Sequence, residues 1–240
     1  MLTHFPEYEL SARRVLSALG FEVGEPGSFA CCSSVFLPSV SDAWLNLAAY
    51  TLAQARGYEG IVTLCGTCTA MLRRGVVALR DEATRRRVNG VLSSAGLSYT
   101  SEPRVVHLLE LLDERAEQLS EMVVRPRKLR VAVQNPCNLR IPGLTEMRED
   151  ALRRVVTAAG AEVVEIEDEC CGSALVLESQ ELAEAAGRRR LEQAEAAGAE
   201  GVVVACGNCA YLLERQLGGR VLFFSQLVAE ALGLEVGVHA

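Results

Sequence analysis

The sequence predicts an α/β protein built from two homologous, Rossmann-like domains with parallel sheets. Two observations lead to this fold class. Short β-branched hydrophobic runs alternate along the chain with longer segments in which apolar residues recur at helical spacing. That order is typical of parallel sheets covered by helices. The second observation is an internal repeat, and 240 residues are enough for two domains of ordinary size.

Three landmarks carry the repeat. They lie 139 to 141 positions apart: the helical segments 12–23 and 152–163, the adjacent pairs Cys31–Cys32 and Cys170–Cys171, and the CxxC motifs Cys65–Cys68 and Cys206–Cys209. Offsets that change by so little indicate two copies of one fold with small loop adjustments. The charged, proline-containing segment 123–128 reads as a linker, so we predict domains at 1–122 and 129–240.

The elements of the first half follow from periodicity and from stop signals. A helix over 7–20 ends on Gly20, and a second, over 41–57, begins at Ser41 as a predicted N-cap and ends on Gly57. The β-branched run 60–64 predicts a buried strand. An amphipathic pattern predicts a helix over 107–119.

The second half repeats the alternation. We predict strands at 129–134, 162–166 and 201–205, and helices at 144–160, 179–198 and 224–233.

Charge and hydropathy exclude several classes of partner. The chain has 24 basic and 31 acidic residues, a net charge of −7, which disfavours nucleic acid and anionic membranes. The basic runs Arg85–Arg87 and Arg188–Arg190 lie in helical patterns and are interpreted as solvated helix faces. No run is long enough for a membrane span, and the N-terminus lacks an apolar signal region, so a cytoplasmic protein is expected.

Nine cysteines are the chemical signal of this sequence. An odd number in a chain expected in a reducing compartment indicates metal or redox chemistry rather than a disulfide framework. In the second half every cysteine group follows a predicted strand, and the carboxyl ends of parallel strands share one edge of a sheet. Five thiols are therefore expected to converge there: Cys137, Cys170, Cys171, Cys206 and Cys209.

Several kinds of site could use these thiols. A thioredoxin-like redox pair explains only a CxxC, and a structural zinc ion takes four ligands rather than five. An iron–sulfur cluster contains several irons, so adjacent thiolates can bind different ones. Gly172 and Gly207 would let the backbone bend close to such a cluster. Buried core cysteines without a ligand remain the alternative.

The order C…CC(G)…CxxC, written twice, resembles the cysteine-rich CCG domain family, and in particular proteins like the B-type subunit of heterodisulfide reductase. The segments CCGSALVLES, GVVVACGNCAYLL, VLFFSQLVAEALGL and VTLCGTCTAML carry this likeness, which covers nearly the whole chain. Related subunits of lactate and glycolate oxidation usually lack the first cysteine of the CxxC. Cys65 and Cys206 therefore favour the heterodisulfide reductase branch.

The resemblance implies two pseudo-twofold-related domains with non-cubane [4Fe-4S] clusters at the strand ends near their interface, one to two clusters per chain. It implies an oxidoreductase subunit, active only within a complex, that reduces or forms a small thiol disulfide in one-electron steps. Expected partners are a ferredoxin-like iron–sulfur protein of the C-subunit type and a flavoprotein of the A-subunit type. The alternative is a non-catalytic electron-transfer subunit of lactate-, glycolate-, succinate- or sulfur-oxidising type. The implied ligands are Cys137, Cys170, Cys171, Cys206 and Cys209 for the C-terminal cluster, and Cys31, Cys32, Cys65 and Cys68 for the N-terminal one.

Two departures from the family pattern are visible. The first half lacks a counterpart of Cys137 and of the strand before it, so either the true start lies upstream or the N-terminal site has four cysteines. Gln134 and Asn138 flank Cys137 where family members carry histidines, which makes the methanogenic heterodisulfide doubtful as the substrate.

Other polar and aromatic residues are assigned mainly structural roles. His107 is interpreted as structural, and His4 and His239 as terminal residues. Trp44 and Tyr50 are expected in the core. The polar residues next to cysteines, which could contact a substrate or cluster sulfur but are more simply loop residues, are Ser33, Ser34, Arg140 and Ser173.

Overall fold

The computed structural model describes residues 4–24, 29–32, 41–145 and 147–236. Within these residues the fold is α/β, with one parallel sheet in each half of the chain. None of the described helices is both long enough and apolar enough to cross a membrane.

The first half contributes six helices and a two-stranded sheet to the described structure: α1 (Pro6–Ala18), α2 (Ala43–Ala53), β1 (Gly60–Thr63), α3 (Gly66–Ala78), α4 (Glu82–Leu92), β2 (Arg104–His107), α5 (Leu108–Asp113) and α6 (Ala116–Met122). The strands β1 and β2 are parallel, with Ile61 opposite Val105.

The second half forms a four-stranded sheet in the order β4-β3-β5-β6, and every pair is parallel. Its elements are β3 (Arg130–Gln134), α7 (Ala151–Ala158), β4 (Glu162–Val163), α8 (Gln180–Ala196), β5 (Val202–Val204), α9 (Gly207–Ala210), β6 (Val221–Phe223) and α10 (Phe224–Ala231). A π-helical segment, Tyr211–Gln216, continues α9, and short 3₁₀ turns lie at Ser93–Ala95, Cys137–Leu139 and Ser173–Leu175.

The predicted α/β class with parallel sheets is confirmed, but two predicted helices differ from the structure. The predicted helix 107–119 is two helices, α5 and α6. The predicted helix over 144–160 begins only at Ala151, because the hydroxyl of Thr145 accepts the Ile141 N–H in a turn just before it. Helix α2 begins at Ala43 with Asp42 at the N-cap position, but the hydroxyl of Ser41 accepts the Ala43 N–H over 3.1 Å and so caps the helix as predicted.

Strands β2 and β6 were not predicted. Each has only three or four residues and leads directly into a helix, so the helical pattern that follows hides the short strand.

The hydrophobic core does not divide at the segment 123–128, although that segment forms neither helix nor strand. One cluster lies within the first half and packs α2, α3 and α4 against β1 and β2. The larger cluster contains residues of both halves, because α1 packs on α10, and α5 and α6 pack on α7. The domain boundaries predicted from the sequence therefore mark the two copies of the repeat, and they do not separate two hydrophobic cores. As domain boundaries they stay a prediction.

Helix α1 is held on the second half by aromatic contacts. The ring of Tyr8 stacks on Phe223 with centroids 3.9 Å apart, and Phe5 meets the same ring edge-on at 5.1 Å. The buried hydroxyls of Ser11 and Ser225 lie 2.7 Å apart. These contacts bring α1 beside the strand ends at which the cysteines lie.

Candidate metal centre

The cysteines of the second half lie at the carboxyl ends of the parallel sheet. Cys137 follows β3, Cys206 follows β5 directly, and Cys170–Cys171 lie in the loop after β4. The sulfurs of Cys171 and Cys209 are 3.2 Å apart. Hydrogen bonding with Cys137 and Cys171 lowers the pKa of the Cys170 thiol to about 2, so the three side chains are neighbours. The convergence expected from the strand-end rule is thus present.

A second group of thiols forms in the first half. The sulfur of Cys68 lies 3.2 Å from that of Cys32, and Cys65 is hydrogen-bonded to Cys68. Cys31 is exposed beside Cys32. The neighbouring Ser33 and Ser34 lie outside the described residues.

The two groups meet at a junction between the halves. The sulfurs of Cys65 and Cys206 are 3.6 Å apart, and the amide of Asn208 donates to the hydroxyl of Thr67 over 3.2 Å. In each pair the two residues are 141 positions apart, which is the offset of the repeat. A residue that contacts its own repeat-equivalent must lie close to the axis relating the two copies. We call the contact region formed by Cys65, Cys206, Thr67 and Asn208 the seam.

The thiols at the seam shift one another's pKa in opposite directions. Hydrogen bonds from Cys206 and Cys68 lower the pKa of the buried Cys65 thiol well below its ordinary value. Hydrogen bonds with Cys171 and Cys206, together with burial, raise the pKa of Cys209. Buried thiolates this close cannot all carry charge unless a positive group compensates them.

The donor set fits a sulfur-ligated metal cluster. No disulfide joins the nine cysteines, all of which lie in the described residues. Thiolates select soft metals and iron–sulfur clusters. The close thiol pairs are at hydrogen-bonding spacing for sulfur, and within the described ranges no three Cys, His, Asp or Glu side chains are arranged to hold a metal ion. The fit therefore rests on the chemistry and convergence of the thiols.

Comparison with known proteins gives the family. The cysteine-rich domain family CCG matches residues 1–73 and 131–214, which together are well over half of the chain. The chain belongs to the CCG family. Its two matched segments correspond to the two halves of the internal repeat, consistent with two homologous domains.

Curated relatives of this CCG protein are subunits of larger oxidoreductases by name. It is 26% identical over 213 residues to the B subunit of fumarate reductase (CoM/CoB) of Methanothermobacter marburgensis, covering 85% of this chain and 38% of that one. It is 28% identical to a protein of Archaeoglobus profundus named as like the B subunit of heterodisulfide reductase, covering 87% and 76%. It is 26% identical to the C subunit of anaerobic glycerol-3-phosphate dehydrogenase of Escherichia coli K12, covering 91% and 54%.

The chain thus spans between about two fifths and three quarters of the length of these relatives. Among solved structures, a hypothetical protein from Helicobacter pylori matches with a TM-score of 0.71 at 16% identity. That match covers 95% of this chain and 46% of the other, and it supports the fold alone.

Gly172 of the CCG motif bends the backbone as predicted, and the element that leaves no room for a side chain there is helix α8. Its φ of 91° is in the left-handed region, and a Cβ atom there would lie 2.6 Å from the carbonyl oxygen of Ala183. Its N–H points to the Cys170 sulfur at 3.4 Å. Gly207, also predicted to bend the backbone, instead begins α9 and is not among the glycines with positive φ.

Arg190 corrects the interpretation of Arg188–Arg190 as a solvated face. Arg188 and Arg189 are exposed, but Arg190 is only 1% exposed. It donates to the amide oxygens of Gln134, at 2.8 Å, and Gln193, at 2.6 Å, and also to the carbonyl of Glu167. The reason is helical periodicity: the buried stripe of α8 is Ala183, Gly187, Arg190 and Ala194.

The amides that flank Cys137 have structural partners. Gln134 accepts from Arg190 and donates to the Glu169 carbonyl over 2.9 Å, and Asn138 donates to Thr67 over 2.9 Å. Both side chains therefore brace the loops that carry cysteines, and Asn138 reaches the seam itself.

The remaining predicted neighbours have varied positions. The hydroxyl of Ser173 lies 3.4 Å from the Cys171 sulfur, and Arg140 forms an ion pair with Asp168.

Trp44 and Tyr50 pack against the first-half cluster, which confirms the core interpretation. His4 is exposed, and its ring lies 5.6 Å from that of Tyr211; His239 lies outside the described residues.

His107 is structural, as predicted, but it is also next to the seam. Its Nδ1 accepts the N–H of Leu109 over 3.0 Å, and its own N–H donates to the Glu110 carboxylate over 2.7 Å, which caps α5. Burial lowers the pKa of His107 to about 4, against an opposing effect from Cys65. The imidazole is therefore neutral at physiological pH.

Tyr8 is the site residue that sequence reasoning missed. Its side chain is fully buried, and its hydroxyl has no hydrogen-bond partner among the described residues. Burial and the charges of Cys65, Cys206, Cys209 and Cys68 raise its pKa well above the ordinary value. Only the packing of α1 on the second half brings Tyr8 to the cysteines, and no local pattern carries that information.

Proposed function

We propose that this CCG chain is the iron–sulfur subunit of a heterodisulfide-reductase-like oxidoreductase complex, acting on a thiol disulfide. The observation that carries the proposal is the meeting of two converging cysteine groups at the Cys65–Cys206 contact. A single redox site would need only one such group. Two sites side by side suit a two-electron change at a sulfur–sulfur bond that is carried out in one-electron steps.

The proposed ligands are the nine cysteines, holding one or two [4Fe-4S] clusters of non-cubane type. When bound, such clusters would supply one-electron redox chemistry and an iron atom able to take up a thiolate. The chain's own contribution is ligation, placement and exclusion of water. Cys65 and Cys206 are each 5% exposed, whereas Cys31, Cys137 and Cys170 are exposed. The interior of the site is therefore shielded from water, and its outer edge is accessible to solvent.

The chain would act inside a complex. The relatives named above are called subunits, which supports partner proteins here. We propose a ferredoxin-like iron–sulfur partner of the C-subunit type and a flavoprotein of the A-subunit type as the source or acceptor of electrons.

A non-catalytic electron-transfer subunit is the second candidate. It is favoured by the two amides near Cys137, which carry no proton at neutral pH and have structural partners, because Gln134 binds Arg190 and Asn138 binds Thr67. The name of the similar glycerol-3-phosphate dehydrogenase protein fits this interpretation as well.

The decisive experiment is anaerobic purification followed by measurement of iron, sulfide and zinc, with EPR spectra of the reduced and oxidised protein. Iron and sulfide in roughly equal amounts are expected, and zinc without sulfide would contradict the proposal. Cys171→Ser should lose iron and sulfide from one site, whereas the exposed control Ser93→Ala should retain both.

A thiol separates the two candidates. If the clusters act on a disulfide, an added substrate thiol should change the EPR spectrum of the oxidised protein. An unchanged spectrum in a complex that passes electrons normally would favour the electron-transfer role.

A further inference from the structure

Two buried polar groups beside the seam lack partners. The hydroxyl of Tyr8 and the Nε2 atom of His107 are fully buried and form no hydrogen bond within the described residues. A buried polar group without a partner destabilises the folded state, so most such groups in proteins are paired. Two of them at one place indicate acceptors that belong to a bound ligand.

The protonation of His107 makes its Nε2 a donor. Because Nδ1 accepts the Leu109 N–H, the proton of the neutral ring must be on Nε2. The carbonyls of Leu64 and Ala205 act on the ring as weak acceptors that raise the pKa of His107, but neither completes a hydrogen bond with Nε2 within the described residues. These two residues directly precede Cys65 and Cys206, so the free N–H lies between the two halves.

Tyr8, on helix α1, also lies near the seam. The charges that act on its hydroxyl belong to Cys65, Cys206, Cys209 and Cys68, which are the two CxxC pairs. Its ring is fixed by stacking on Phe223, and Phe223 adjoins Phe224, whose ring stacks on His107 with centroids 6.1 Å apart. The two donors are thus held in one aromatic layer against the seam.

We propose that Tyr8 and His107 are positioning residues that donate hydrogen bonds, from Oη–H and Nε2–H, to sulfur atoms of the clusters bound at the two CxxC motifs. This inference rests on the proposed function. Hydrogen bonds to cluster sulfur stabilise the more negative, reduced state and raise the reduction potential. The acceptors are a cysteine thiolate of the seam or an inorganic sulfide next to it.

Two variants test it, and the first removes only the donor. Tyr8→Phe deletes the hydroxyl and keeps the stacking ring. His107→Asn removes Nε2–H and keeps an oxygen able to cap α5, because asparagine is a good N-cap. The matched control is Tyr99→Phe, since Tyr99 is 5% exposed and belongs to the first-half cluster, away from the cysteines.

The measurements use the full chain, purified anaerobically, both iron-loaded and iron-free. For the iron-loaded Tyr8→Phe and His107→Asn proteins we expect lower cluster midpoint potentials in EPR-monitored redox titrations. We also expect the loss of an exchangeable-proton coupling in pulsed EPR after transfer to deuterated buffer. For the iron-free Tyr8→Phe protein we expect unchanged or higher stability, because the substitution removes an unpaired hydroxyl. Tyr99→Phe should leave the potentials and couplings as in the wild type.

The outcomes are separable. Iron and sulfide missing from the wild type would overturn the proposed function and this inference with it. Wild-type potentials and proton couplings in iron-loaded Tyr8→Phe would overturn the inference alone, even if His107→Asn failed to fold. Equal destabilisation of the iron-free and iron-loaded Tyr8→Phe proteins would also overturn it, because it would show a purely structural hydroxyl.

Discussion

At the scale of single residues, the surroundings of the cysteines depend on buried polar side chains with specific partners. Arg190 is the clearest case, a buried guanidinium that binds two amide oxygens and a carbonyl behind the Cys170–Cys171 loop. Burial lowers its pKa, with the nearby acidic groups Glu169 and Asp168 acting in the opposite direction. By the 141-residue offset its counterpart in α2 is the buried Ala49, so the two halves differ here.

Replacement of Arg190 should be costly. Arg190→Met leaves the buried amide oxygen of Gln134 and two partly buried acceptors, on Gln193 and Glu167, without their donor, and we expect the free energy of unfolding to fall by about 2–4 kcal/mol. Arg188→Met, at an exposed position of the same helix, should change it by less than about 0.5 kcal/mol. Urea unfolding under anaerobic, reducing conditions measures both, and equal effects would contradict the buried role of Arg190.

His107 predicts a pH dependence of stability in the iron-free protein. Its folded-state pKa of about 4 lies below the ordinary value for histidine, so between the two values the unfolded chain binds a proton that the folded chain does not. The free energy of unfolding is therefore unaffected by His107 above about pH 6.5 and falls as the pH is lowered towards 4. The total decrease from this residue is about 3 kcal/mol.

His107→Asn should remove that contribution to the slope of stability against pH. The exposed His4 provides the control, and His4→Asn should retain the wild-type slope. A wild-type slope in His107→Asn would show that the proton uptake on unfolding belongs to other groups.

At the scale of elements, α1 joins the two halves. It lies first in the chain, yet its buried face packs on α10 and on the aromatic residues at the end of β6. The predicted helix 7–20 was nearly correct in its bounds, but its amphipathic pattern indicates only that one face is buried. Which surface covers that face is a tertiary property, and it is what brings Tyr8 to the cysteines.

The packing of α1 can be tested at Val15, which is fully buried. We expect Val15→Ala to lower the free energy of unfolding by about 2 kcal/mol, since it removes buried apolar surface and leaves a cavity. The control is Val77→Ala in α3, because Val77 is about half exposed. Calorimetric or urea unfolding should separate the two variants, and a similar small effect in both would indicate that α1 is not part of the core.

At the scale of the whole molecule, the repeat places equivalent residues against each other. Thr67 accepts hydrogen bonds from Asn138 and from its own counterpart Asn208, both of the second half. Near it the guanidinium of Arg73 pairs with Glu110 at 2.8 Å and also reaches the carbonyl of Leu144. The seam is thus held by polar contacts around the Cys65–Cys206 pair.

Thr67→Val should weaken the seam without changing side-chain shape. Two amide donors lose their acceptor, and we expect a loss of about 1–3 kcal/mol of stability together with weaker retention of iron by both sites during anaerobic dialysis. Thr157→Val, at an exposed position in α7, should behave as the wild type in both measurements. Retention of iron equal to that of the wild type would show that the two sites do not depend on this contact.

Some features of this protein could be predicted from the sequence, and others could not. The parallel α/β class and the convergence of cysteines behind strand ends were predictable, because hydrophobic periodicity and the strand-end rule are local signals that tertiary packing rarely overrides. The short strands β2 and β6 and the buried position of Arg190 were not, because strands of three or four residues give little periodicity and a charged side chain on a helix is normally exposed.

By itself, the sequence determined the repeat, the cysteine pattern and the alternation of strands and helices, because each of them depends only on the spacing of residues along the chain. The tertiary structure alone decided that Cys65 faces Cys206, that α1 covers the second half, and that Tyr8 and His107 each bury a polar atom without a partner among the described residues. The physical reason is that these contacts join residues up to 218 positions apart, as for Phe5 and Phe223, and depend on how two helix faces and two sheet edges close over one another.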